Sequence, residues 1–302
     1  MKKSQLIVLM VILSFLMIGC KSNKAKGHNW KVYDRSMHIT KTHDVNKNWE
    51  TSLNEMKNEY RRCEDKKIKI PAGYYAQIAF LLNSLGKSDE AREYLLKEKD
   101  TYPQSAHFIN SLLEIKDVNK KEDKKELLPS VLILPPLNKT IDLKASNTIC
   151  SVVTKAFIKN GFYVLPMNAV RSYLVNNGMT LDEDVYNISD ELLAKYFGSE
   201  NVLRMKIVQW KSSTTGFHRD SMVVINYNLK SLPSGELIYE GEEHEVHYEQ
   251  VKVNKTIAVQ AALLLTKHII HQLKEGNDEL AVKAVEGMAA EIKKQYKTRI
   301  NK

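Results

Sequence analysis

Apolar residues recur at intervals of three and four along the first part of the chain, and this period predicts helices. The pattern begins at Asn48 and predicts a helix that Pro71 ends. A helix–turn–helix pair is predicted over 72–105, and a shorter helical stretch follows at 106–115. Together these elements predict an N-terminal helical domain at 46–116.

The helix–turn–helix pair has the spacing of one tetratricopeptide repeat, a unit of 34 residues. Ala79 and Ala91 are small, so the two helices can approach closely, and Gly86 relieves the turn between them. The packing positions of the predicted repeat are Tyr75, Ile78, Ala79, Leu82, Gly86, Ala91, Leu95 and Pro103. Glu98 stands where the repeat normally has a small residue, so the motif is imperfect. One repeat cannot bury its own apolar face, and the helices on either side are the expected neighbours.

A different pattern starts at residue 130. The run 130–136 is continuously apolar, which suits a strand buried on both faces, and a second such run lies at 162–166. A helix is predicted between them at 144–160. Strand, helix and strand joined by short loops form a βαβ unit, which predicts parallel pairing of the two strands.

The rest of the chain predicts further helices and an antiparallel hairpin. These elements are a helix at 169–176, a helix capped by Ser189 and closed by Gly198, strands at 201–211, 222–232 and 236–248, a turn at 233–235, and a helix at 256–273. The expected fold class is therefore α+β or α/β. It comprises a helical tetratricopeptide-like hairpin domain and a three-layer α/β domain at 130–274, with a mixed sheet and a C-terminal helix. A charged linker at 117–129 and a charged helical tail at 275–302 complete the predicted organisation.

The first residues have the features of a secretory signal peptide: a basic start, an apolar run from Leu6 to Ile18 and a small residue before the cut. Gly19 and Cys20 make this segment resemble a bacterial lipoprotein signal. In that class the chain is cut after the small residue, here Gly19, and the new N-terminal cysteine, here Cys20, is acylated. The resemblance implies a signal peptide at 1–19 and membrane lipid as a partner. An ordinary cleaved signal with a chance cysteine is the alternative.

Several acyl chains on one cysteine hold a protein stably at a bilayer, whereas a single chain holds it marginally. Lys21 follows the cysteine, and by family analogy the absence of Asp at this position favours the outer membrane. Residues 20–45 are polar and predict a tether that holds the folded part off the bilayer. We therefore expect a protein that is lipid-anchored in the outer membrane and faces the periplasm.

Composition supports packed domains and limits the classes of partner. Apolar residues make up 43% of the 302-residue chain and 14 residues are tyrosine, which argues against disorder. The net charge of +9 is compatible with anionic lipid or cell-wall polymer nearby. No nucleic-acid partner is predicted, because the basic balance is mild and a secreted lipoprotein would seldom meet nucleic acid.

No metal site is predicted from the cysteines and histidines. Cys63 and Cys150 lie in different predicted domains, so no disulfide is expected between them, and neither has metal-ligand spacing. The two histidine pairs considered are His244 with His247 and His268 with His271. The first pair would lie on opposite faces of a strand, and the second shares a helical face that has no acid or cysteine within that turn.

No catalytic constellation is predicted either. The 12 glycines are dispersed and form no phosphate loop, and the Gly-x-Ser-x-Gly elbow of hydrolases is absent from the sequence. Residues 182–184 are all acidic, but they follow Gly178 in a predicted loop, where helix capping or solvation accounts for them. The chain is therefore expected to be non-enzymatic and to use no cofactor.

Two surfaces are candidates for binding. The helix at 256–273 is apolar over much of its circumference, so it is either buried in its own domain or covers a second copy in a homo-oligomer. The basic cluster at 293–299 is either a solvated helix end or a contact with anionic lipid or polymer.

Two family resemblances cover most of the chain. Residues 45–115 resemble a small, uncharacterised family of bacterial lipoproteins that carry one repeat; the matching positions are 71–73, Gly86, 97–99 and 102–105. Residues 128–250 resemble a family of outer-membrane lipoproteins known from a neisserial vaccine antigen. The second resemblance is carried by Pro135, Pro136, Asn138, Ala145, Ser146, Gly161, Pro166, Gly178, Gly198 and Gly235.

The fold of the second family resembles the N-terminal α/β domain of the Tol-system periplasmic protein. Its relatives include the periplasmic domain of the curli secretion channel and lipoprotein activators of cell-wall synthases. Genes of this family tend to lie beside those of a curli-channel-type lipoprotein and a small repeat lipoprotein. The resemblance therefore implies that this chain is a fusion of two cooperating lipoproteins.

The function that the resemblances imply is that of a protein-binding accessory subunit of a curli-channel-like assembly in secretion or transport. The expected partner is a curli-channel-type lipoprotein or another envelope protein. A lipoprotein regulator of a cell-wall synthase is the main alternative, although such a regulator would need a longer tether than 20–45. An envelope enzyme with an unrecognised site is the third possibility.

Overall fold

The computed structural model describes residues 27–37, 45–114, 128–215, 218–250 and 261–300. The predicted signal peptide with Gly19 and Cys20, and most of the charged linker, lie outside these residues. None of the helices in the described part of the chain has both the length and the apolar character that a membrane crossing requires.

The first described segment is helical. Its elements are α1 (Trp30–Met37), α2 (Val45–Asp65), α3 (Tyr74–Ser84), α4 (Ser88–Thr101), a 3-10 helix (Pro103–Ser105) and α5 (Ala106–Leu112). The helices from α2 onward lie where the sequence predicted them, whereas α1 lies within 20–45, which the sequence predicted to be a tether. Val32, Tyr33 and Met37 of α1 are buried, so this helix belongs to the folded part. Helices α3 and α4 form the predicted pair, and Gly86 joins them with a φ of 75°, which glycine adopts without a steric penalty. Ala79 and Ala91 are both buried. The assignment of this pair to the tetratricopeptide class stays a prediction.

The second segment mixes strands and helices. Its elements are β1 (Ser130–Ile133), β2 (Leu137–Asn138), α6 (Ala145–Lys159), β3 (Tyr163–Val164), α7 (Met167–Asn176), α8 (Asp182–Tyr186), α9 (Asp190–Phe197), β4 (Asn201–Thr215), β5 (His218–Ser231), β6 (Leu237–Gln250) and α10 (Ala261–Ile300). The acidic residues 182–184 begin α8 and do not lie in a loop as predicted. Carboxylates in a first helical turn are favourable because they face the positive end of the helix dipole.

One mixed sheet forms the centre of this segment. The strand order is β3-β1-β4-β5-β6, and the short β2 also pairs with β4. Strand β1 runs parallel to both neighbours, with Ser130 opposite Tyr163 and Val131 opposite Asn201. Strands β4, β5 and β6 are antiparallel. The predicted combination of a βαβ start and a hairpin end is therefore confirmed.

Helices cover both faces of the sheet at its β3–β1 end, which gives three layers there. Val131 and Ile133 of β1 belong to a core with α6 and α10, whereas Leu132 and Leu134 belong to a core with α7, α8 and α9. Successive residues of a strand point to opposite faces, so a strand between two helical layers needs apolar residues at every position. This requirement explains the continuous apolar run at the start of the segment.

The C-terminal helix differs from its prediction. Helix α10 continues without a break through residue 274, where the sequence predicted the end of the domain and the start of a charged tail. A buried stripe lies beyond this point and consists of Leu280, Ala281, Ala284, Val285, Met288, Ala289 and Ile292. These residues complete the core between α6 and the sheet, and the charged residues between them occupy other faces of the helix. The sequence predicted an apolar helix at 256–273, and the structure does not describe the side chains of these residues.

The helical segment shares its apolar cores with the α/β segment. Tyr33, Met56 and Ile78 belong to the core that contains α6 and α10, and Tyr102 and Phe108 belong to the core that contains α7 and α9. The charged linker thus separates the two segments along the sequence, but the buried apolar side chains are continuous across them. Loss of either segment would expose apolar surface of the other.

Candidate protein-binding groove

The helical segment lies against the β3 edge of the sheet. Gly73 precedes α3, and a Cβ at this position would lie 3.3 Å from the carbonyl oxygen of Val164 in β3. Nearby, the buried Asn168 Nδ2 donates a hydrogen bond to Gln77 Oε1 at 3.3 Å. Backbone packing and a buried polar pair therefore both hold α3 against this end of the sheet.

Gly198 forms a second point of attachment. It ends α9 with a φ of 58°, and its N–H donates to the carbonyl oxygen of Ala194 at 3.0 Å. A Cβ on Gly198 would lie 2.3 Å from the ring of His107 in α5, and that ring's Nε2 lies 2.9 Å from the carbonyl oxygen of Lys195. Glycine is thus required here both for the left-handed backbone and for the space that His107 occupies.

The buried Glu98 of α4 joins the same two segments. Its Oε1 accepts a hydrogen bond of 2.7 Å from the N–H of Gly73, at the start of α3, and the Tyr163 hydroxyl of β3 lies beside the carboxyl group. Complete burial raises the pKa of Glu98 to about 7, against the lowering effect of the N–H groups at the helix start. Glu98, the residue that departs from the repeat pattern, therefore acts as a buried cap for α3.

A groove of about 480 Å³ opens between the two segments. The α3–α4 pair forms one wall and the floor, the end of α5 closes one side, and α7 of the α/β segment forms the opposite wall. The lining residues on the helical pair include Ala76, Ala79, Phe80, Asn83, Asp89, Ala91, Arg92 and Leu95, and those on α7 are Ala169, Ser172, Tyr173 and Asn176. Its volume lies within the range of about 300–1,000 Å³ that is usual for binding pockets.

The groove is apolar at its floor and polar at its rim. Ala79 and Ala91 are buried at the floor, whereas Asn83, Asp89 and Arg92 are exposed at the rim. Small side chains at the floor leave room for an inserted side chain, and the rim offers donors and acceptors to a main chain. This arrangement suits an extended peptide segment with one or two apolar anchors.

The loop after β2 presents a second apolar surface. Ile141 is 100% exposed and Leu143 is 84% exposed. The conformation of the loop is held by Asn138, whose Nδ2 donates to the carbonyl oxygen of Asp142 at 2.8 Å and whose Oδ1 accepts from the Thr140 N–H at 3.0 Å. Two apolar side chains are therefore held in solvent by a hydrogen-bonded loop, which is typical of a contact surface.

Comparison with known families accounts for both segments. Residues 121–296, more than half of the chain, match the family model described as "Putative lipoprotein GNA1162-like". The chain belongs to the GNA1162-like lipoprotein family. Residues 28–112 match a second family, a domain of unknown function named DUF4810. The match confirms the predicted neisserial-antigen relationship and extends it past residue 250, through most of α10.

Similar proteins include one sequence relative and two solved structures. A lipoprotein of Neisseria meningitidis serogroup B is 28% identical over 112 residues, which cover 35% of this chain and 52% of the relative, so the match spans about half of that protein. The crystal structure of GNA1162 from N. meningitidis is 21% identical, covers 48% of this chain and 98% of its own, and gives a TM-score of 0.38. The PelC dodecamer of Paraburkholderia phytofirmans is 12% identical, covers 52% and 86%, and gives a TM-score of 0.29.

Membership of the GNA1162-like family indicates a lipoprotein of the cell envelope that is anchored to a membrane. The descriptions of these two families and of the neisserial relative name no enzymatic activity.

The residues that carried the family resemblance hold turns and helix starts in the GNA1162-like domain. Gly161, Gly178 and Gly235 all have positive φ, with values of 90°, 84° and 67°. The other fold positions are the buried Pro135 and Pro136 after β1, Ala145 and Ser146 at the start of α6, and Pro166 before α7. The Ser146 hydroxyl lies 3.4 Å from the carbonyl oxygen of Pro136. Asn138 holds the exposed loop after β2, and Gly198 forms the contact between α9 and α5.

The predicted repeat residues serve several parts of the structure. Ala79, Ala91 and Leu95 line the groove, and Ala79 and Ala91 also belong to the buried core that contains Ile78 and Leu82. The remaining positions are Tyr75, which packs against Tyr60 and Tyr94, Gly86 in the turn, and Pro103 at the start of the 3-10 helix. The sequence contained no signal that α7 forms the opposite wall of the groove.

The structure describes the side chains of one of the two histidine pairs named above. His244 and His247 are both exposed on β6, and His244 Nε2 lies 2.5 Å from Glu242 Oε1. The side chains of His268 and His271 lie outside the described side chains. A cluster of possible metal ligands that the sequence did not predict lies at the start of the helical segment and consists of His28, Glu59 and Cys63.

Proposed function

We propose that this protein is a non-enzymatic, periplasm-facing lipoprotein of the outer membrane that acts as a protein-binding accessory subunit of a curli-channel-like envelope assembly. The observation that carries the proposal is the groove of about 480 Å³, because its walls come from both family segments. A surface built jointly by α3, α4 and α7 exists only when the two segments are packed together. The fused chain is therefore suited to present a composite surface to another protein.

The groove takes an extended segment of the partner. The alanine floor accepts an apolar side chain, and Asn83 and Asn176, on opposite walls, can both hydrogen-bond to the partner's main chain. The rim carries Asp89 and Arg92, which are one turn apart on α4 and of opposite charge. Because the rim carries one charge of each sign, the positions of the charges on the partner segment matter more for selection than the net charge of that segment.

The exposed loop with Ile141 and Leu143 docks on the channel subunit. Burying two fully exposed aliphatic side chains contributes about 1.5–3 kcal/mol for each. Lys139 of the same loop lies 2.8 Å from Glu183 of α8, so the loop is tied to the domain and loses little freedom on binding. The acylated Cys20 holds the protein near a membrane-embedded channel, which raises the local concentration of the partner.

Cross-linking in intact cells tests the proposal. The protein is purified from detergent-solubilised outer membrane, and the proteins linked to it are identified by mass spectrometry. Ser172→Trp places a large side chain in the groove, and Arg171→Trp, an exposed residue one position away on α7, is the matched control. Cys20→Ala provides the unanchored protein. Circular dichroism of each variant establishes that it is folded.

The expected result is recovery of a curli-channel-type lipoprotein with the wild type and with Arg171→Trp. Recovery should fall at least about tenfold with Ser172→Trp, since a filled groove excludes the partner segment. It should also fall with Cys20→Ala. Recovery of a cell-wall synthase in place of the channel protein, or of no partner, would overturn the assembly role. Equal recovery with folded Ser172→Trp would exclude the groove as the binding site.

A further inference from the structure

Three side chains of different chemistry meet at the start of the helical segment. His28 precedes α1, and Glu59 and Cys63 lie one turn apart on α2. His28 Nδ1 lies 3.3 Å from Glu59 Oε1 and 3.7 Å from Cys63 Sγ, and the sulfur lies 3.4 Å from the same carboxylate oxygen. The side chains of His28 and Glu59 are each 5% exposed, and Cys63 is fully buried.

The three distances have the size of the edges of a zinc coordination tetrahedron. Typical bonds of about 2.05 Å to nitrogen, 2.3 Å to sulfur and 2.1 Å to oxygen place N and S about 3.6 Å apart, S and O about 3.6 Å apart, and N and O about 3.4 Å apart. The observed 3.7, 3.4 and 3.3 Å each agree to within about 0.2 Å. One ion can therefore contact all three atoms without a change of backbone.

We propose that His28, Glu59 and Cys63 bind one zinc ion, with the fourth coordination position left to water. Imidazole nitrogen, thiolate sulfur and carboxylate oxygen are all established zinc ligands, and a mixed set that contains sulfur favours zinc over calcium or magnesium. None of the three proposed ligands is among the residues that line the groove. The zinc proposal therefore does not depend on the proposed partner.

Hydrogen bonds hold the carboxylate of Glu59 beside the other two ligands. Arg62 Nε donates to Glu59 Oε2 at 2.7 Å, and bonds of this kind hold ligating carboxylates in place in metal sites. The N–H of Asn29 donates to Oε1 at 2.7 Å, and Arg62 Nη2 lies 2.6 Å from the same oxygen. Zinc ligation through Oε1 requires these two contacts to lengthen.

Binding exchanges one proton for the ion. The Cys63 thiol donates to Glu59 Oε1, and an ion that binds to the sulfur displaces this proton to solvent. Zinc, one thiolate, one carboxylate and the guanidinium of Arg62 then give a local charge of +1.

The position of the site gives it a structural consequence. His28 is the second residue that the structure describes, and Glu59 lies 31 positions further along the chain. One ion would therefore link the start of the folded part to α2. The His28 ring also packs edge-on against Trp30 and Tyr74, with centroid distances of 5.1 and 4.8 Å. Zinc would thus fix the point where the folded part meets the segment that leads to Cys20.

Metal titration of the full-length protein in detergent tests the proposal. The protein is stripped with a chelator, desalted and titrated with zinc in competition with a chromophoric chelator. Cobalt(II) is then added as a spectroscopic probe, because a tetrahedral thiolate complex gives intense visible bands and a sulfur-to-metal absorption. The variants are His28→Ala, Glu59→Gln and Cys63→Ser. Cys150→Ser and His244→Gln are matched controls at residues outside the cluster.

The expected result is one zinc per chain, with affinity at least about tenfold weaker in each cluster variant and unchanged in both controls. Zinc should raise the Tm of the wild type and leave that of His28→Ala unchanged. Failure of the wild type to compete for zinc, or a cobalt complex without sulfur-to-metal absorption, would overturn the proposal, and neither measurement depends on a variant that folds. Zinc affinity lost with Cys150→Ser and kept in Cys63→Ser would also overturn it.

Discussion

Replacement of Glu98 by glutamine tests how the two segments are joined. Glu98 is fully buried, and burial raises the pKa of its carboxyl group to about 7 from the ordinary value of 4.5. Between these pH values the unfolded chain has lost the proton and the folded chain retains it. Folding therefore takes up a proton, so the free energy of unfolding is highest below pH 4.5, falls as the pH rises to about 7, and stays low above that.

The size of this effect follows from the pKa. One pKa unit corresponds to about 1.4 kcal/mol, so a rise from 4.5 to about 7 removes about 3 kcal/mol of stability across this pH range. The Glu98→Gln variant cannot ionise at this position, and its amide oxygen can still accept the hydrogen bond from Gly73. We expect the variant to gain about 2–3 kcal/mol relative to the wild type when the pH rises from about 5 to about 8.

Urea unfolding of the full-length protein in detergent, followed by circular dichroism at both pH values, measures this difference. Glu93→Gln, which changes an exposed acid on the same helix, is the control and should follow the wild type at each pH. If Glu98→Gln has the same dependence on pH as the wild type, the reasoning is refuted. The Glu98 carboxyl group would then titrate alike in the folded and unfolded chains.

Three further substitutions test the joint, the last helix and the exposed loop. Gly198→Ala should lower the free energy of unfolding by about 1–3 kcal/mol in urea titrations, because its Cβ would lie 2.3 Å from His107; an unchanged midpoint would show that His107 moves freely. Met288→Ala should cost about 2–5 kcal/mol, measured the same way, whereas Lys294→Ala on the same helix should stay within about 0.5 kcal/mol. Equal effects would mean that the buried stripe of α10 is not packed in solution. Ile141→Ser should leave stability within about 0.5 kcal/mol and reduce cross-linking to the partner, and a large loss of stability would contradict an exposed position.

Most of the order of helices and strands could be predicted from the sequence because its signals are local, although α1, β2 and α8 were not predicted. The continuous apolar runs identified β1 and β3, and Pro233 to Gly235 identified the hairpin between β5 and β6. The domain was predicted to end at residue 274 because 10 of the 26 residues at 275–300 are charged, and this part of α10 was predicted to be a charged helical tail. The apolar positions at Leu280, Ala284 and Met288 nevertheless recur at four-residue intervals, so a search for period alone would have found them.

The groove and the zinc cluster depend on contacts that no local pattern contains. Helix α7 reaches the α3–α4 pair only because the βαβ unit places it there, about 80 residues further along the chain. Glu59 and Cys63 show the spacing of one helical turn, which is a usable local signal. His28 joins them only through the packing of α1 on α2.

The buried stripe of α10 has a consequence for how the protein is made. Residues 280–292 are among the last described residues to leave the ribosome and to pass through the export machinery, yet they share a core with Tyr33 and Met56, which pass through early. Contacts between such distant parts of a chain form slowly, because a long loop must close first. Until α10 arrives, one face of the sheet stays open, with Val223 and Ile225 accessible to chaperones and proteases. A chain that stops before residue 280 is therefore expected to be degraded after export, even though both of its family segments are present in part.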